Sequence, residues 1–356
     1  MEQRINRLRA LFDEHQVDGF LITSKSNRRY MTGFTGSAGV VLITKTEAVF
    51  ITDFRYEEQA KEQAQGFEIV KHVEPIGEKI AEVLERLNVK RLAFEQDHVT
   101  FATYRGYQQR FSAELVPVSG AVEKLRMIKD EQEIQTIRHA VKIADETFTH
   151  ILNFIKPGLT EIQVANELEF HMRSLGASTS SFDMIVASGA RSALPHGVAS
   201  DKVIEKGDFV TLDFGAVYQG YISDMTRTFA VGQPSDKLIE IYNICLEAQL
   251  QGVRNIKAGI TGKQADDYCR DYITAKGYGE QFGHSTGHGI GLDVHEDPKL
   301  SKKGSDELLQ PGMVVTVEPG IYLAGVGGVR IEDNIVIKET GNEILTQSTK
   351  ELIIID

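Results

Sequence analysis

The sequence contains no tryptophan, only two cysteines and no long apolar run. Cys245 and Cys269 form neither a disulfide framework nor a Cys-x-x-Cys pair, which predicts a reduced, cytoplasmic protein. The longest stretch without Asp, Glu, Lys or Arg is Tyr30–Thr44, shorter than the roughly 18 apolar residues of a membrane helix. Met1–His15 is dense in charge and lacks the apolar centre of a signal peptide.

Basic residues are fewer than acidic ones. The chain has 39 Lys and Arg and 51 Asp and Glu, which gives a net charge of −12. This balance argues against binding to nucleic acid or to anionic membranes. Most of the excess acid lies after residue 120. It could form a solvated surface, or part of it could face bound cations.

A length of 356 residues predicts two domains. Residues 1–119 alternate strand-like runs such as Val40–Thr44 with helical patterns, which predicts an α/β domain with a mostly parallel or mixed sheet. Residues 120–156 have the spacing of a nearly continuous helix, and Thr160 with Gln163 forms a capping-box signature. Two further helices, near 235–256 and 262–276, and Gly-rich strands predict an α+β domain over 120–356.

The segment from Phe209 to Thr228 has the pattern of a β-hairpin that turns at Gln219-Gly220. This turn would place Asp213 opposite Thr226, with Asp224 diagonally adjacent on the same face. Two carboxylates on one face of an apolar hairpin are costly to bury unless they are protonated or neutralised. They predict a metal pair, with two exposed acids near a turn as the alternative.

Three histidines, His284, His288 and His295, lie within twelve residues in a Gly-rich segment. Glycine at this density allows close approach of the backbone to a ligand or metal, which favours a site over structural histidines. Gly283-His-Ser285-Thr-Gly287 also matches the nucleophile elbow of serine hydrolases. The glycines that follow Ser285 oppose the helix that this elbow requires. The last histidine of the chain, His295, is only ten residues after Ser285, too near to follow the required aspartate. The segment therefore argues against a serine hydrolase.

Two more carboxylates follow apolar runs near the C-terminus. Glu318 ends the run that begins at Met313, and Arg330 and Glu332 are spaced for one face of a strand. Arg330 and Glu332 could form a surface ion pair, but their apolar neighbours favour a buried role. Four carboxylates with imidazole and no thiolate suit Mn²⁺ or Co²⁺. Two such ions could activate a water.

The spacing of these residues resembles that of the dinuclear metallopeptidases of the pita-bread fold. The similarity rests on Asp213 and Asp224, the segment His284–Gly291, Glu318-Pro-Gly, and Arg330-Ile-Glu332-Asp. Ser192–Gly197, with His196, resembles an upstream histidine motif of that family. Asn27–Ser37 resembles the N-terminal domain of the Xaa-Pro branch, meaning aminopeptidase P and prolidase. The implied fold is a creatinase/prolidase-like α/β domain (1–119) and a pita-bread, creatinase/aminopeptidase-like catalytic domain (120–356).

The resemblance implies a role for each of these residues. Two divalent ions, Mn²⁺ before Co²⁺ or Zn²⁺, would be bound by Asp213, Asp224, His288, Glu318 and Glu332. Asp224 and Glu332 would bridge the ions, and Glu318 would also serve as the base for the bridging water. His284 would steady the tetrahedral intermediate or the scissile carbonyl. The residues on the side that receives proline would be His196, His295 and Arg330.

The implied function is that of a Xaa-Pro dipeptidase, or prolidase, which hydrolyses the bond before proline at a free N-terminus with a metal-activated hydroxide. Aminopeptidase P, acting on longer Xaa-Pro peptides, is the alternative. The complete ligand set opposes a non-catalytic peptide-binding module and metal-free creatinase chemistry. Methionine aminopeptidases share the ligand pattern but usually lack a domain like residues 1–118. Small peptides are the implied partners, and a homodimer the implied assembly.

Overall fold

A computed structural model describes residues 1–304 and 306–356 of the chain. These residues form two compact units, Met1–Arg126 and Met127–Asp356. The division lies a few residues after the boundary expected from the sequence, because all but the last residue of the helix Ala121–Met127 belongs to the first unit. Asn27 Nδ2 donates to Glu123 Oε1 at 2.6 Å, and Arg126 Nη1 donates to Asn27 Oδ1 at 2.7 Å.

A six-stranded mixed sheet forms the centre of the first unit, all of whose residues are described. The strands are β1 Gly19–Ile22, β2 Val40–Thr44, β3 Ala48–Thr52, β4 Glu68–Lys71, β5 Arg91–Glu95 and β6 Glu114–Val118. Their order is β4-β3-β2-β1-β5-β6. Pairs β3–β4, β1–β5 and β5–β6 are parallel, and β1–β2 and β2–β3 are antiparallel. The predicted α/β domain with a mixed sheet is confirmed.

The helices of the first unit are α1 Glu2–Arg9, α2 Phe12–His15, α3 Lys25–Thr32, α4 Glu57–Gln63, α5 Ile76–Arg86, α6 Phe101–Arg110 and α7 Ala121–Met127. The sequence did not predict α3 or α6. Helix α3 begins where the Glu95 carboxylate, on strand β5, accepts hydrogen bonds from the backbone N–H groups of Thr23 and Ser24 at 2.6 and 2.8 Å. A cap supplied by a distant strand leaves no local signature.

The longer helices of the second unit are α8 Glu131–Phe154, α9 Glu161–Ser174, α10 Asp236–Asn255 and α11 Gly262–Ala275. The predicted continuous helix over 120–156 is instead two helices. Asp130 and Glu133 form a capping box that starts α8 anew. The capping box predicted at Thr160 and Gln163 is present at the start of α9. None of the described helices combines the length and apolar character needed to cross a membrane.

The strands of the second unit are β7 Thr179–Ser180, β8 Ile185–Ser188, β9 Asp208–Phe214, β10 Ala216–Tyr218, β11 Tyr221–Ile222, β12 Met225–Val231, β13 Gly287–Gly289, β14 Glu296–Leu300, β15 Val314–Val317, β16 Gly320–Leu323, β17 Gly327–Arg330, β18 Asp333–Ile337, β19 Asn342–Ile344 and β20 Ile354–Ile355. Among the described residues, two sheets dominate, in the orders β20-β12-β9-β8 and β14-β13-β15-β18-β19. Helix α9 and the C-terminal part of α8 pack on the first sheet. The N-terminal part of α8 packs on the second sheet, as α10 and α11 mainly do.

The hairpin of β9 and β12 has the register expected from the sequence. Asp213 lies opposite Thr226, and Tyr218 lies opposite Tyr221. The turn residues Gln219 and Gly220 both have positive φ, 45° and 79°, as in the type I′ turn that suits a twisted hairpin. The turn therefore fixes which residues of the two strands face each other.

Both cysteines are buried, unpaired thiols in the core that α10 and α11 form with the second sheet. Cys245 is on α10 and Cys269 on α11. Burial raises the pKa of the Cys245 thiol to about 12 and also raises that of Cys269. Both side chains therefore act as small core residues.

Candidate active site

A cavity of about 760 Å³ in the second unit brings together every site residue that the sequence singled out. These lining residues are His196, Asp213, Asp224, His284, His288, His295, Glu318, Arg330 and Glu332. They come from strand ends and loops of both major sheets. The fold thus collects side chains that are more than a hundred residues apart in the sequence.

Asp224, His288 and Glu332 form the centre of the cluster. Each offers a potential ligand atom, these atoms lie within 4.8 Å of one another, and all three residues are buried. His288 Nε2 lies 3.7 Å from Asp224 Oδ2 and 3.4 Å from Glu318 Oε1. This spacing is compact enough for the side chains to share a cation.

The position of each carboxylate follows from the strands. Asp213 lies in β9, Asp224 directly precedes β12, and Glu318 directly follows β15. Arg330 ends β17, whereas Glu332 lies beyond that strand and just before β18. Arg330 and Glu332, expected on one face of a single strand, therefore reach the same cavity from either side of a strand break.

The glycines beside His288 make room for neighbouring backbone. A Cβ atom at Gly287 would overlap the carbonyl oxygen of Thr316, and one at Gly289 would overlap that of Asp297. Strand β13 can therefore pair closely with β14 and β15 and carry His288 into the cavity. The sequence predicted that these glycines let the backbone approach a ligand or metal. In the structure they let β13 approach the backbone of its neighbouring strands.

Hydrogen bonds from threonines and from the backbone orient these side chains. Thr226 Oγ1 donates to Glu332 Oε2 at 2.6 Å, and Thr316 Oγ1 lies 3.3 Å from Glu318 Oε1. His288 Nδ1 lies 3.1 Å from the carbonyl oxygen of Gly289, which can only accept, so Nδ1 carries the proton. Nε2, which faces the carboxylates, then keeps its lone pair.

The cluster crowds carboxylate groups that the described protein groups neutralise only in part. Asp213 Oδ1, Asp224 Oδ1 and Glu332 Oε1 are buried and have no hydrogen-bond partner among the described residues. Burial, and then the neighbouring carboxylates, raise the pKa values of Asp224 and Glu332 well above their usual range. Burial raises the pKa of Glu318 to about 8, although Arg330 opposes the shift. Oxygen and imidazole donors in this state fit divalent cations.

Arg330 is almost fully buried, and its donors are engaged by protein groups. Its Nη2 pairs with Asp213 Oδ2, its Nη1 donates to Tyr322 Oη at 2.7 Å, and its Nε donates to Thr226 Oγ1 at 3.1 Å. Tyr322 Oη also lies 2.8 Å from His284 Nε2. No sequence pattern indicated Tyr322, because a single tyrosine on a short strand belongs to no motif.

The three remaining imidazoles line the same cavity. His284 Nδ1 lies 2.8 Å from the carbonyl oxygen of Ser285, so its Nε2 accepts from Tyr322. Burial, with help from Arg330, lowers the pKa of His284 to about 4. Burial also lowers the pKa of His295, whose ring centroid lies 4.5 Å from that of His288. His284 and His295 are therefore neutral near pH 7, and His196 lies within electrostatic range of both.

Five apolar side chains form another part of the wall, and only Pro195 of these lies in one of the sequence motifs. They are Phe182, Ile185, Pro195, Val198 and Val294. The cavity therefore has one polar region of carboxylates and imidazoles and one region suited to an apolar group.

Two protein families match the two parts of the chain. Residues 4–128 match the creatinase/prolidase N-terminal domain, and residues 135–339 match metallopeptidase family M24.

Individual proteins match over nearly the whole chain. The uncharacterised peptidase YqhT of Bacillus subtilis is 61% identical over 99% of this chain and 100% of its own length. The solved structure of a Xaa-Pro dipeptidase from Bacillus anthracis has a TM-score of 0.98 and 61% identity, covering 99% of each chain. An X-Pro aminopeptidase from Thermotoga maritima has a TM-score of 0.91 and 42% identity, covering 96% of this chain and 98% of its own.

Proposed function

The chain belongs to metallopeptidase family M24, and we propose that within this family it is a Xaa-Pro dipeptidase that hydrolyses the bond before proline at a free N-terminus. The observation that carries the proposal is the buried carboxylate cluster, three of whose oxygens lack a hydrogen-bond partner among the described residues. Divalent cations would compensate the charge of such a cluster, and the matched family is one of metallopeptidases.

Two divalent ions fit the cluster. Asp213, Asp224, His288, Glu318 and Glu332 would hold them, and a donor set of oxygen and imidazole favours Mn²⁺ over softer ions. When bound, the ions supply an activated water and polarise the scissile carbonyl. The protein itself orients the donors through Thr226, Thr316 and the backbone carbonyl of Gly289.

Glu318 is suited to receive and return a proton. Its carboxyl is buried beside His288, and its raised pKa of about 8 allows it to hold a proton near neutral pH. A bound cation would lower that value, so the carboxylate is the resting form in the loaded protein. His284 would lie beside the scissile carbonyl.

Proline lacks an amide N–H in the scissile bond, so the site needs no acceptor for that group. It must instead receive a ring and, in a dipeptide, a carboxylate. His196, His295 and Arg330 are proposed to line the polar side of this subsite, with Arg330 acting through its bonds to Asp213 and Tyr322. Phe182, Ile185 and Pro195 supply apolar surface for a ring or for the first side chain.

The test is the hydrolysis of Ala-Pro beside Ala-Pro-Ala, longer Xaa-Pro peptides and N-acetyl-Ala-Pro, with Mn²⁺ added. A dipeptidase should cleave Ala-Pro fastest and leave the acetylated peptide nearly intact. Faster cleavage of the longer peptides would favour aminopeptidase P, the activity named for the Thermotoga maritima structure. Efficient hydrolysis of Met-Ala-Ser with inert Ala-Pro would overturn the Xaa-Pro assignment.

Three finer points belong to the same proposal. The native metal is Mn²⁺, the chain acts in the cytoplasm, and it forms a homodimer. Metal analysis of protein purified from cells, cell fractionation and light scattering would test them separately.

A further inference from the structure

A buried ion pair lies beside the cavity, outside the residues assigned above. Lys129 Nζ donates to Glu296 Oε2 at 3.0 Å, and their side chains are only 2% and 8% exposed. The two residues are 167 positions apart. Glu296 lines the cavity, whereas Lys129 stands just before helix α8.

The Glu296 carboxylate organises the loop that precedes it. Its Oε1 accepts hydrogen bonds from the backbone N–H groups of Leu292 and Asp293 at 2.9 and 3.1 Å. A Cβ atom at Gly291 would lie 2.8 Å from both carboxylate oxygens, so a side chain there would require the Glu296 carboxylate to shift. The loop from 291 to 296 is therefore wrapped around one carboxylate.

Lys129 is itself held in place from two sides. Its backbone N–H donates to the carbonyl oxygen of Gly312 at 3.0 Å. The next residue, Asp130, is the N-cap of α8 and accepts a hydrogen bond from the backbone N–H of Glu133 at 2.9 Å. The ammonium group thus projects from a fixed point of the second unit.

The loop carries His295, directly before Glu296, into the cavity. The His295 ring packs against His288 with the ring planes inclined at 64°. Removing Lys129 would break a buried ion pair of Glu296, which is costly enough to draw the carboxylate towards water. Because His295 is the adjacent residue, that movement would displace its ring.

We propose that Lys129 is a positioning residue that, through Glu296, holds His295 at the substrate side of the cavity. This inference rests on the proposed function, in which His295 contacts the proline part of the substrate. Lys129 contacts none of the proposed metal ligands, so its effect should fall on substrate binding.

The first test is Lys129→Met, which removes the charge and keeps a long apolar side chain. We expect KM for Ala-Pro to rise about tenfold, with a much smaller change in kcat and unchanged metal content. The matched control is Lys202→Met, which breaks the ion pair with Asp208 at 2.7 Å, away from the cavity lining. It should leave KM unchanged. Equal KM values in both variants and the wild type would overturn the proposal.

Two double variants separate positioning from a general loss of structure. Adding Glu296→Gln to Lys129→Met should restore KM, because the amide oxygen can still accept from Leu292 and Asp293 and the neutral side chain no longer depends on the Lys129 charge. In a His295→Ala background, Lys129→Met should have no further effect on KM, since its effect passes through His295. An undiminished effect in that background would contradict the inference.

Hydrogen exchange provides a readout independent of activity. The amides of Leu292 and Asp293 should exchange faster in Lys129→Met, and unchanged exchange would overturn the anchoring role. If the wild-type protein does not cleave Xaa-Pro peptides at all, the proposed function fails. The exchange experiment then still tests the anchor.

Discussion

Asp224 places two carboxylate oxygens in the cluster, one without a partner among the described residues and one 3.7 Å from His288. An asparagine of the same shape would bring N–H donors to a place that requires acceptors. Asp224→Asn should therefore lose bound metal and reduce kcat/KM more than about a hundredfold. Metal analysis and steady-state kinetics measure both effects.

The control for this substitution is Asp183→Asn. Asp183 lines the same cavity but is exposed and is outside the cluster. It should retain both ions. A fully active Asp224→Asn protein in chelator would contradict the assignment as a metallopeptidase.

All three kinds of guanidinium nitrogen of Arg330 are engaged by protein groups. The resemblance places Arg330 on the side that receives proline, and its donors bond to Asp213, Tyr322 and Thr226. We therefore expect Arg330→Lys, which cannot make all three bonds, to lower kcat/KM by similar factors for Ala-Pro and for a longer peptide. A loss confined to Ala-Pro would instead indicate direct contact with the carboxylate of the dipeptide.

At the scale of elements, strand β13 places His288 in the cavity only because β14 and β15 can pair closely with it. Gly287→Ala should push β13 away from the Thr316 carbonyl, displace His288 and lower both metal affinity and melting temperature. Gly283→Ala is the matched control in the same His-rich segment. An added Cβ there meets nothing within 4 Å, and the backbone is not left-handed. If both variants lose metal equally, close strand pairing is not the reason for the glycine.

Elements with local signals were predictable, and those fixed by distant residues were not. The turn at Gln219-Gly220 determines the register of the β9–β12 hairpin. The capping box of Thr160 and Gln163 determines where α9 begins. Helix α3 depends on Glu95, from a strand about seventy residues away. Nothing near Lys129 in the sequence indicates Glu296.

The candidate site follows the same division. The carboxylates and histidines stand in short motifs, so their resemblance to a known pattern identifies them from the amino-acid sequence alone. Tyr322 and the apolar wall could not be identified in this way, because single tyrosine, phenylalanine and isoleucine residues are ordinary core composition. Their roles depend on the folded neighbourhood.

For the whole molecule, metal loss should cost stability because it leaves the carboxylates crowded. Chelation should lower the melting temperature, and Mn²⁺ should restore it, since a ligand that binds only the folded state stabilises it. An unchanged melting curve would mean that the ligands are not assembled. Differential scanning calorimetry makes the comparison directly.

The same cluster gives the metal-free protein a pH dependence of defined sign. The pKa of Glu318 is raised from about 4.5 to about 8 by burial, so the folded state binds more protons than the unfolded state between these values. The contribution of Glu318 to stability therefore falls as pH rises through this window. In chelator, Glu318→Gln should raise the melting temperature relative to wild type more at about pH 8 than at about pH 5. The opposite trend would contradict the raised pKa.

Alkylation of the two buried thiols can be used to measure how often the core of the second unit opens. Cys245 and Cys269 are buried and burial raises their pKa values, so a maleimide should react with neither while α10 and α11 are packed. Each alkylated molecule should therefore have opened its core at least once. At maleimide concentrations high enough for alkylation to outpace reclosing, the mass shift after timed exposure should report the opening rate without an optical probe.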